Sequence, residues 1–166
     1  MDNARSHIII PDCSGSYILA GKLTESIALE HKRWSHIQLP NGYYCYCGSA
    51  RNNGGLHGRV SRHLNQDTSR FWHFDFLKPY LLFRQIWWIN CHESMECLLG
   101  ASILSIPGAQ TPLKGFGASD CVNHCAAHLI YFKSMKSLRT INDIVDKVIS
   151  GLPFPQRIKS GSSTIY

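Results

Sequence analysis

Apolar residues in the first third of the chain form short runs separated by turn residues, as in a β-sheet. Residues Gly15–Leu23 (GSYILAGKL) are mostly apolar and aromatic, which favours a strand over a helix. Residues 34–39 and 43–47 flank Pro40-Asn41-Gly42, and an Asn-Gly step between two such runs predicts a β-hairpin. We therefore expect a small antiparallel sheet in this part of the chain.

A different period begins after the glycine- and asparagine-rich loop at residues 48–55. Leu56, Val60 and Leu64 recur every fourth residue, which is the spacing of one face of a helix. Residues 93–104 and 141–149 predict two further helices, the last of them amphipathic.

The remaining apolar runs favour extended structure. Residues 71–77 (FWHFDFL) are aromatic, residues 82–90 contain Trp87 and Trp88, and residues 128–132 form a late apolar run. Residues 106–118 are rich in glycine and proline and predict a loop. This succession indicates an α+β fold, an α/β sandwich in which helices flank a small mixed and mainly antiparallel sheet.

A chain of 166 residues is long enough for one domain with a hydrophobic core. We place this domain at residues 15–150, between an N-terminal extension at 1–14 and a loose C-terminal tail at 151–166 that is rich in proline, serine and glycine. Hydrophobic residues make up 44% of the chain and charged residues only 17%, which excludes a disordered protein.

The charge balance narrows the choice of partner. The 17 Lys and Arg residues against 11 Asp and Glu give a net charge of +6, which favours an anionic partner such as nucleic acid.

No apolar stretch approaches the ~18 residues that span a bilayer and no secretory signal is visible, so we expect a cytoplasmic protein without a membrane partner. The seven cysteines have no disulfide-framework spacing, so we expect reduced thiols.

Polar residues within the predicted elements could form a site. Because side chains alternate along a strand, Tyr44 and Tyr46 face one side of the sheet, while Cys45 and Cys47 face the other and are expected in the core. Paired tyrosines of this kind fit either cross-strand packing or a functional site.

Three polar residues on the predicted helices could also belong to a site. Arg59 and His63 are four residues apart on one helix face, where they could reach into a cleft or form a solvated basic surface. Glu96 shares the apolar helix face of Leu99, whereas Glu93 lies at the expected helix start. A carboxylate on an apolar face needs a partner, and a divalent metal ion, Arg59 or both could supply it.

In their order along the chain, these residues resemble the motifs of the GIY-YIG nuclease superfamily. The motifs are Gly15-Ser16-Tyr17, Tyr46-Cys47-Gly48, Arg59 with His63, and Glu96. A longer set of segments resembles one branch of short stand-alone domains of unknown function in that superfamily, namely residues 42–50, 54–56, 72–75 and 115–121. The resemblance covers residues 15–132.

The resemblance implies a metal-dependent endonuclease that hydrolyses phosphodiester bonds in DNA, with RNA as a second possible substrate. Glu96 would bind one Mg²⁺ or Mn²⁺ ion. Tyr17 would act as general base with Tyr46 as its hydrogen-bonding companion, although the two roles could be exchanged. Arg59 would stabilise a phenolate and the charge on the phosphate, and His63 would orient a tyrosine or donate a hydrogen bond.

Neighbouring residues could extend this site. His73 and Asp75 are two residues apart, on one face of an extended segment, and fit either a second acid–base or metal contact or a pair that satisfies itself within an aromatic core. Trp72 is expected in that core. Arg51 and Arg62 are expected to contact the nucleic-acid backbone, which dictates no sequence preference.

A possible zinc site lies near the end of the resemblance. Cys121, Cys125 and His128 have the spacing C-x₃-C-x₂-H, and thiolate with imidazole is a zinc ligand set. The candidates for a fourth ligand are His124, Cys91 and Cys97. We favour the alternative of buried reduced cysteines beside a histidine that begins a strand.

Two other functions remain open. One is a catalytically inactive nucleic-acid-binding module of the same fold, and the other is a zinc-binding structural module. The nuclease interpretation requires five side chains to converge on one cleft: Tyr17, Tyr46, Arg59, His63 and Glu96.

Overall fold

The computed structural model describes residues 9–52, 54–65, 69–134, 139–153, 155 and 158–165. Its strands are β1 (Gly15–Leu23), β2 (Ile27–Ala28), β3 (Gln38–Leu39), β4 (Gly42–Ala50), β5 (Leu82–Asn90), β6 (Leu129–Phe132) and β7 (Ser160–Thr164). Its helices are α1 (Gly55–Leu64), α2 (His73–Leu77), α3 (Glu96–Leu104) and α4 (Ile141–Ser150), and a 3₁₀ turn at Lys78–Tyr80 follows α2. Among these described helices, none has the length and apolarity needed to cross a membrane.

The centre of the fold is a five-stranded sheet with the order β6-β4-β1-β5-β7, in which every neighbouring pair is antiparallel. β1 lies in the middle because its residues are buried almost throughout. It pairs along its whole length with β4, so that Tyr17 lies opposite Gly48 and Leu19 lies opposite Tyr46. This register places Tyr17 and Tyr46 on the same face of the sheet.

Helices cover both faces of the sheet, which confirms the predicted α/β sandwich. The face that carries Tyr17 and Tyr46 packs against α1 and α2. The opposite face carries Cys45 and Cys47 and packs against α3 and α4. Strand alternation therefore predicted the two faces of β4 correctly, and both cysteines lie in the core.

The predicted hairpin around Asn41-Gly42 does not form, because the two strands that flank the turn do not pair with each other. The strand before the turn, β3, contains only Gln38–Leu39 and pairs with β2. β4 cannot accept it as a neighbour because β1 and β6 already occupy both of its edges. The turn therefore connects two separate sheets.

Residues 71–77 are helical from His73 onward, although their composition predicted extended structure. The Asp75 carboxylate accepts hydrogen bonds from the backbone N–H groups of Phe71 and Trp72, at 2.9 and 2.8 Å. These bonds satisfy amide groups at the helix start that would otherwise lack partners. Local hydrogen bonding here outweighs the strand preference of aromatic residues.

The C-terminal tail is part of the sheet, contrary to the loose segment that the sequence predicted. Ser160–Thr164 form β7, which pairs with β5 at the sheet edge. The indole ring of Trp88 lies against Gly161, where an added Cβ would come within 2.6 Å of the ring. The small residues of β7 thus leave room for the indole, and composition alone suggested flexibility instead.

Candidate functional site

A polar cleft of about 720 Å³ opens beside the end of β4, between α1 and the start of α3. Tyr46 from β4, Arg59 from α1 and Glu96 from α3 all line it. Tyr17 and His63 do not line it and are buried next to it, with only 1% and 0% of their surfaces exposed. Three of the five predicted side chains therefore reach the cleft, and the other two support them from within the core.

Tyr17 and His63 form a buried hydrogen bond. The Tyr17 hydroxyl lies 2.7 Å from His63 Nε2. Gly48, opposite Tyr17 on β4, leaves space for this hydroxyl, because a Cβ at that position would overlap it. Burial raises the pKa of Tyr17, and the charge and hydrogen bonding of Arg59 oppose that rise.

His63 is a neutral imidazole at physiological pH. Burial, followed by the positive charge of Arg59, lowers its pKa to about 3. Its Nδ1 is buried and has no hydrogen-bond partner within the described part of the chain. Because a buried N–H without an acceptor is costly, we assign the proton to Nε2. The ring then donates its hydrogen bond to the Tyr17 oxygen.

The buried imidazole makes the protein less stable in mild acid. Between the folded pKa of about 3 and the ordinary pKa of 6.5, the unfolded chain binds a proton that the folded chain does not. The free energy of unfolding therefore falls as pH drops through this range, by up to about 1.4 kcal/mol per pH unit from this group.

We expect His63→Gln to remove that contribution. Urea unfolding of wild type and variant from pH 7 to pH 4.5 should show the wild type losing stability more steeply. Parallel curves would show that His63 is protonated as readily in the folded protein as in the unfolded chain.

Arg59 lies over an aromatic ring at the wall of the cleft. Its guanidinium carbon is 4.3 Å from the centre of the Trp72 ring. No carboxylate of the described residues forms an ion pair with Arg59, and its Nε is buried without a hydrogen-bond partner there. The ring holds the guanidinium in place and its positive charge is not neutralised, so it can bind an anion in the cleft.

Glu96 occupies the first position of α3, where the helix dipole favours a carboxylate. The helix begins three residues later than expected, so Glu93 is not at its start, but Leu99 and Ile103 are buried, which confirms the predicted apolar helix face of Glu96. The Glu96 side chain lines the cleft, and it forms no ion pair with any other described residue. Burial raises the pKa of Tyr17 and of Tyr46, and the negative charge of Glu96 adds to both shifts.

Asp75 belongs to a buried ion network between α1 and α2. Both terminal nitrogens of Arg62 donate to its carboxylate at 2.9 Å, and Lys78 Nζ lies 3.6 Å away. Lys78 also donates to the carbonyl oxygens of Arg62 and Asn65 at the end of α1. Burial alone would raise the pKa of Asp75, but the hydrogen bonds from Arg62 and from the backbone of the two residues before α2 lower it to about 2.

This network bears on two predictions. Asp75 does not line the cleft, so we assign it to the stability of the fold and not to acid–base or metal chemistry. Arg62 lines the cleft and its charge is paired with Asp75, so its contact with a nucleic-acid backbone stays a prediction. Arg51, by contrast, is exposed at the rim of the cleft.

His73 lines the cleft. The core interpretation, in which His73 pairs with Asp75, is wrong. The Nδ1 of His73 accepts a hydrogen bond from the Gly117 backbone N–H at 3.1 Å. Gly117 has a φ of 71°, and a Cβ there would come within 2.8 Å of the Tyr46 ring. His73 and Gly117 thus hold the loop after α3 against the cleft.

A second cluster lies at the N-terminus of α3. One ligand atom from each of Cys97, Cys121, Cys125 and His128 falls within 4.8 Å of every other. Residues 121–128 are irregular and not helical, which allows these side chains to converge. The preference for unrelated buried cysteines does not account for this arrangement, and Cys97 is the distant residue that completes it.

Several cleft residues had no site role predicted from the sequence, among them Trp72, Ser119 and Asp120. Trp72, expected in the core, is 40% exposed and lies against Arg59. Ser119 and Asp120 line the cleft from the loop after α3. The resemblance had included this loop without giving it a role, and only the folded structure brings it to the tyrosines.

Comparison with known proteins places the chain in a family. No match was found among curated proteins or among solved structures. The family model described as Domain of unknown function DUF123 matches residues 16–150, which include all of the cleft-lining residues and all four helices. The chain therefore belongs to the DUF123 family, whose function is unknown.

Proposed function

We propose that this protein is a metal-dependent endonuclease of the GIY-YIG type that hydrolyses phosphodiester bonds in DNA. The observation that carries the proposal is the meeting of Tyr46, Arg59 and Glu96 in one cleft. They come from three separate elements, and a buried Tyr17–His63 pair supports them. The combination of an acid, an unpaired guanidinium and a phenol fits metal-assisted attack on a phosphodiester.

Glu96 fits the requirements of a Mg²⁺ or Mn²⁺ ligand. These ions prefer oxygen ligands, retain several waters and bind through one or two carboxylates together with substrate phosphate. The Glu96 carboxylate lies in a polar cleft and has no competing ion pair among the described residues, and Asp120 lines the same cleft. When bound, the ion supplies Lewis-acid stabilisation of charge on the phosphate.

Tyr46 is the tyrosine that can meet the attacking water. Its ring is stacked on Phe74, with 4.5 Å between centroids and 20° between planes, so its hydroxyl has a fixed direction. Burial raises the pKa of Tyr46 and the charge of Arg59 opposes the rise, so Arg59 favours the phenolate that would accept the proton of water. We therefore give Tyr46 the role of general base and Tyr17 a positioning role, which exchanges the roles expected from the sequence.

The surroundings of the cleft suit a nucleic-acid backbone. Arg51 and Arg59 provide positive charge, and Phe71 beside Trp72 is 74% exposed. Arginine with exposed aromatic rings is a common surface for binding a strand through its phosphates and bases without sequence preference.

Single-turnover cleavage of plasmid DNA in Mg²⁺ tests the role of Tyr46. We expect Tyr46→Phe to cleave about 10²- to 10⁴-fold more slowly than wild type, as for the loss of a general base. Tyr44→Phe is the matched control, because Tyr44 lies on the same strand and face but donates to the Pro40 carbonyl oxygen at 2.6 Å, away from the cleft.

Tyr17→Phe should show a smaller loss than Tyr46→Phe, since Tyr17 acts through its neighbours. If Tyr46→Phe cleaves as fast as Tyr44→Phe, the assignment of the base is wrong. A parallel series with a structured RNA separates DNA from RNA as the substrate.

A further inference from the structure

We propose that Cys97, Cys121, Cys125 and His128 bind one structural Zn²⁺ ion that fixes the N-terminus of α3 and the loop after α3 against the cleft. The zinc site does not depend on the proposed nuclease activity. Its expected effect on Glu96, the residue directly before Cys97, rests on that proposed function.

The distances within the cluster agree with a tetrahedral zinc site. Zinc bonds sulfur at about 2.3 Å, which separates tetrahedral ligands by roughly 3.8 Å. Cys97 Sγ lies 3.4 Å from Cys121 Sγ and 3.6 Å from His128 Nε2. At such distances the sulfur atoms are not covalently bonded to each other. All four ligand atoms, that of Cys125 included, lie within 4.8 Å of one another, so one ion can be shared among them.

His128 gives an independent indication of a ligand. Its side chain is almost fully buried, with 1% exposed. Among the described residues, the hydrogen-bond partner of its Nε2 is the sulfur of Cys97, which is a weak partner, at 3.6 Å. Burying an imidazole against such a partner is unfavourable, and a metal bond at Nε2 would compensate for it.

The ligand chemistry selects zinc over magnesium or calcium. Thiolate and imidazole ligands favour zinc, whereas the latter ions need oxygen. Three cysteines and one histidine complete a four-coordinate shell, which is the composition of structural zinc sites and leaves no open position for a substrate.

The fold also shows what such an ion would stabilise. Residues 105–128 contain no helix or extended strand between α3 and β6, and loops of this length without regular structure are uncommon in compact domains. The backbone hydrogen bonds of this loop are mostly short-range turns, with a few longer links such as Gly115 N–H to the Ala126 carbonyl oxygen and His128 N–H to the Phe116 carbonyl oxygen. A metal ion would link the end of this loop to α3 directly.

Three of the proposed zinc ligands are adjacent to residues of the cleft. Cys97 follows Glu96 in α3, and Cys121 follows Asp120 at the cleft wall. The carbonyl oxygen of His128 accepts a hydrogen bond from the backbone N–H of Cys47, next to Tyr46. One ion would thus fix the spacing of the acid, the loop and the tyrosine.

The metal content of the full-length protein, purified under reducing conditions without added zinc, tests the site. We expect about one Zn²⁺ per chain. Replacing zinc with Co²⁺ should give the visible absorption of tetrahedral cobalt with a thiolate charge-transfer band. Cys97→Ser should lower zinc content at least severalfold, while Cys13→Ser, a free cysteine outside the cluster, should retain it.

The two proposals can fail separately. Absence of zinc from the reduced wild-type protein together with no cobalt spectrum, or full zinc retention in Cys97→Ser, would overturn the site whatever the nuclease result. Bound zinc in a protein that cleaves no nucleic acid would leave the zinc site standing and remove the proposed function. If Cys97→Ser fails to fold, the wild-type zinc content and cobalt spectrum still decide.

Discussion

Replacing Glu96 with glutamine is expected to slow metal-dependent DNA cleavage by about a thousandfold or more. The substitution keeps the size of the side chain and its place at the start of α3, but it removes the negative charge that would hold the metal ion. Metal ions contribute several kcal/mol of transition-state stabilisation, and each 1.36 kcal/mol corresponds to about tenfold in rate. Single-turnover rates at saturating Mg²⁺ would measure the effect.

Glu93→Gln is the matched control. Glu93 is exposed, lies in the turn just before α3 and does not line the cleft. Glu93→Gln changes the net charge of the protein by the same amount as Glu96→Gln, so a general effect of charge on DNA binding would appear in both variants. Equal rates for the two variants would remove Glu96 from the site.

Asp75→Ala is expected to lower the free energy of unfolding by about 3–5 kcal/mol. The substitution removes the partner of Arg62 and of the fully buried Lys78, and it leaves the ammonium group of Lys78 without its nearest carboxylate. It also removes the acceptor for the backbone amides of the two residues just before α2. Breaking a buried pair from one side costs more than the pair contributes, because a charge is left behind.

Urea unfolding at pH 7 measures this loss, with Asp146→Ala as the control. Asp146 is an exposed aspartate of α4, and its removal should change stability by no more than about 0.5 kcal/mol. A loss below 1 kcal/mol in Asp75→Ala would mean that Asp75 is not the centre of a structural network.

The parts of the site that follow from local periodicity could be predicted from the sequence. Strand alternation placed Tyr46 opposite in direction to Cys45 and Cys47, and the structure confirms this. Helical spacing put Arg59 and His63 on one side of α1, where one reaches the cleft and the other is buried beside it. Such regularities depend only on the backbone geometry of a single element.

The parts of the site that depend on contacts between distant segments could not be predicted from the sequence. The sequence suggested that Asp75 pairs with His73 on an extended segment. Its actual partners, Arg62 and Lys78, become visible only in the folded chain. Cys97 joins a cluster with residues more than 20 positions later, across a loop without periodicity. The pairing of β7 with β5 is a tertiary contact of the same kind.

The most direct test of the proposed function is whether the wild-type protein cleaves nucleic acid. Supercoiled plasmid DNA, branched DNA and a structured RNA would be incubated with the protein in Mg²⁺ or Mn²⁺ and, in parallel, in chelator. A nuclease would nick or linearise DNA with a divalent ion and leave it intact without one. Binding of these nucleic acids with no cleavage in either metal would contradict the nuclease assignment and favour an inactive nucleic-acid-binding module of the same fold.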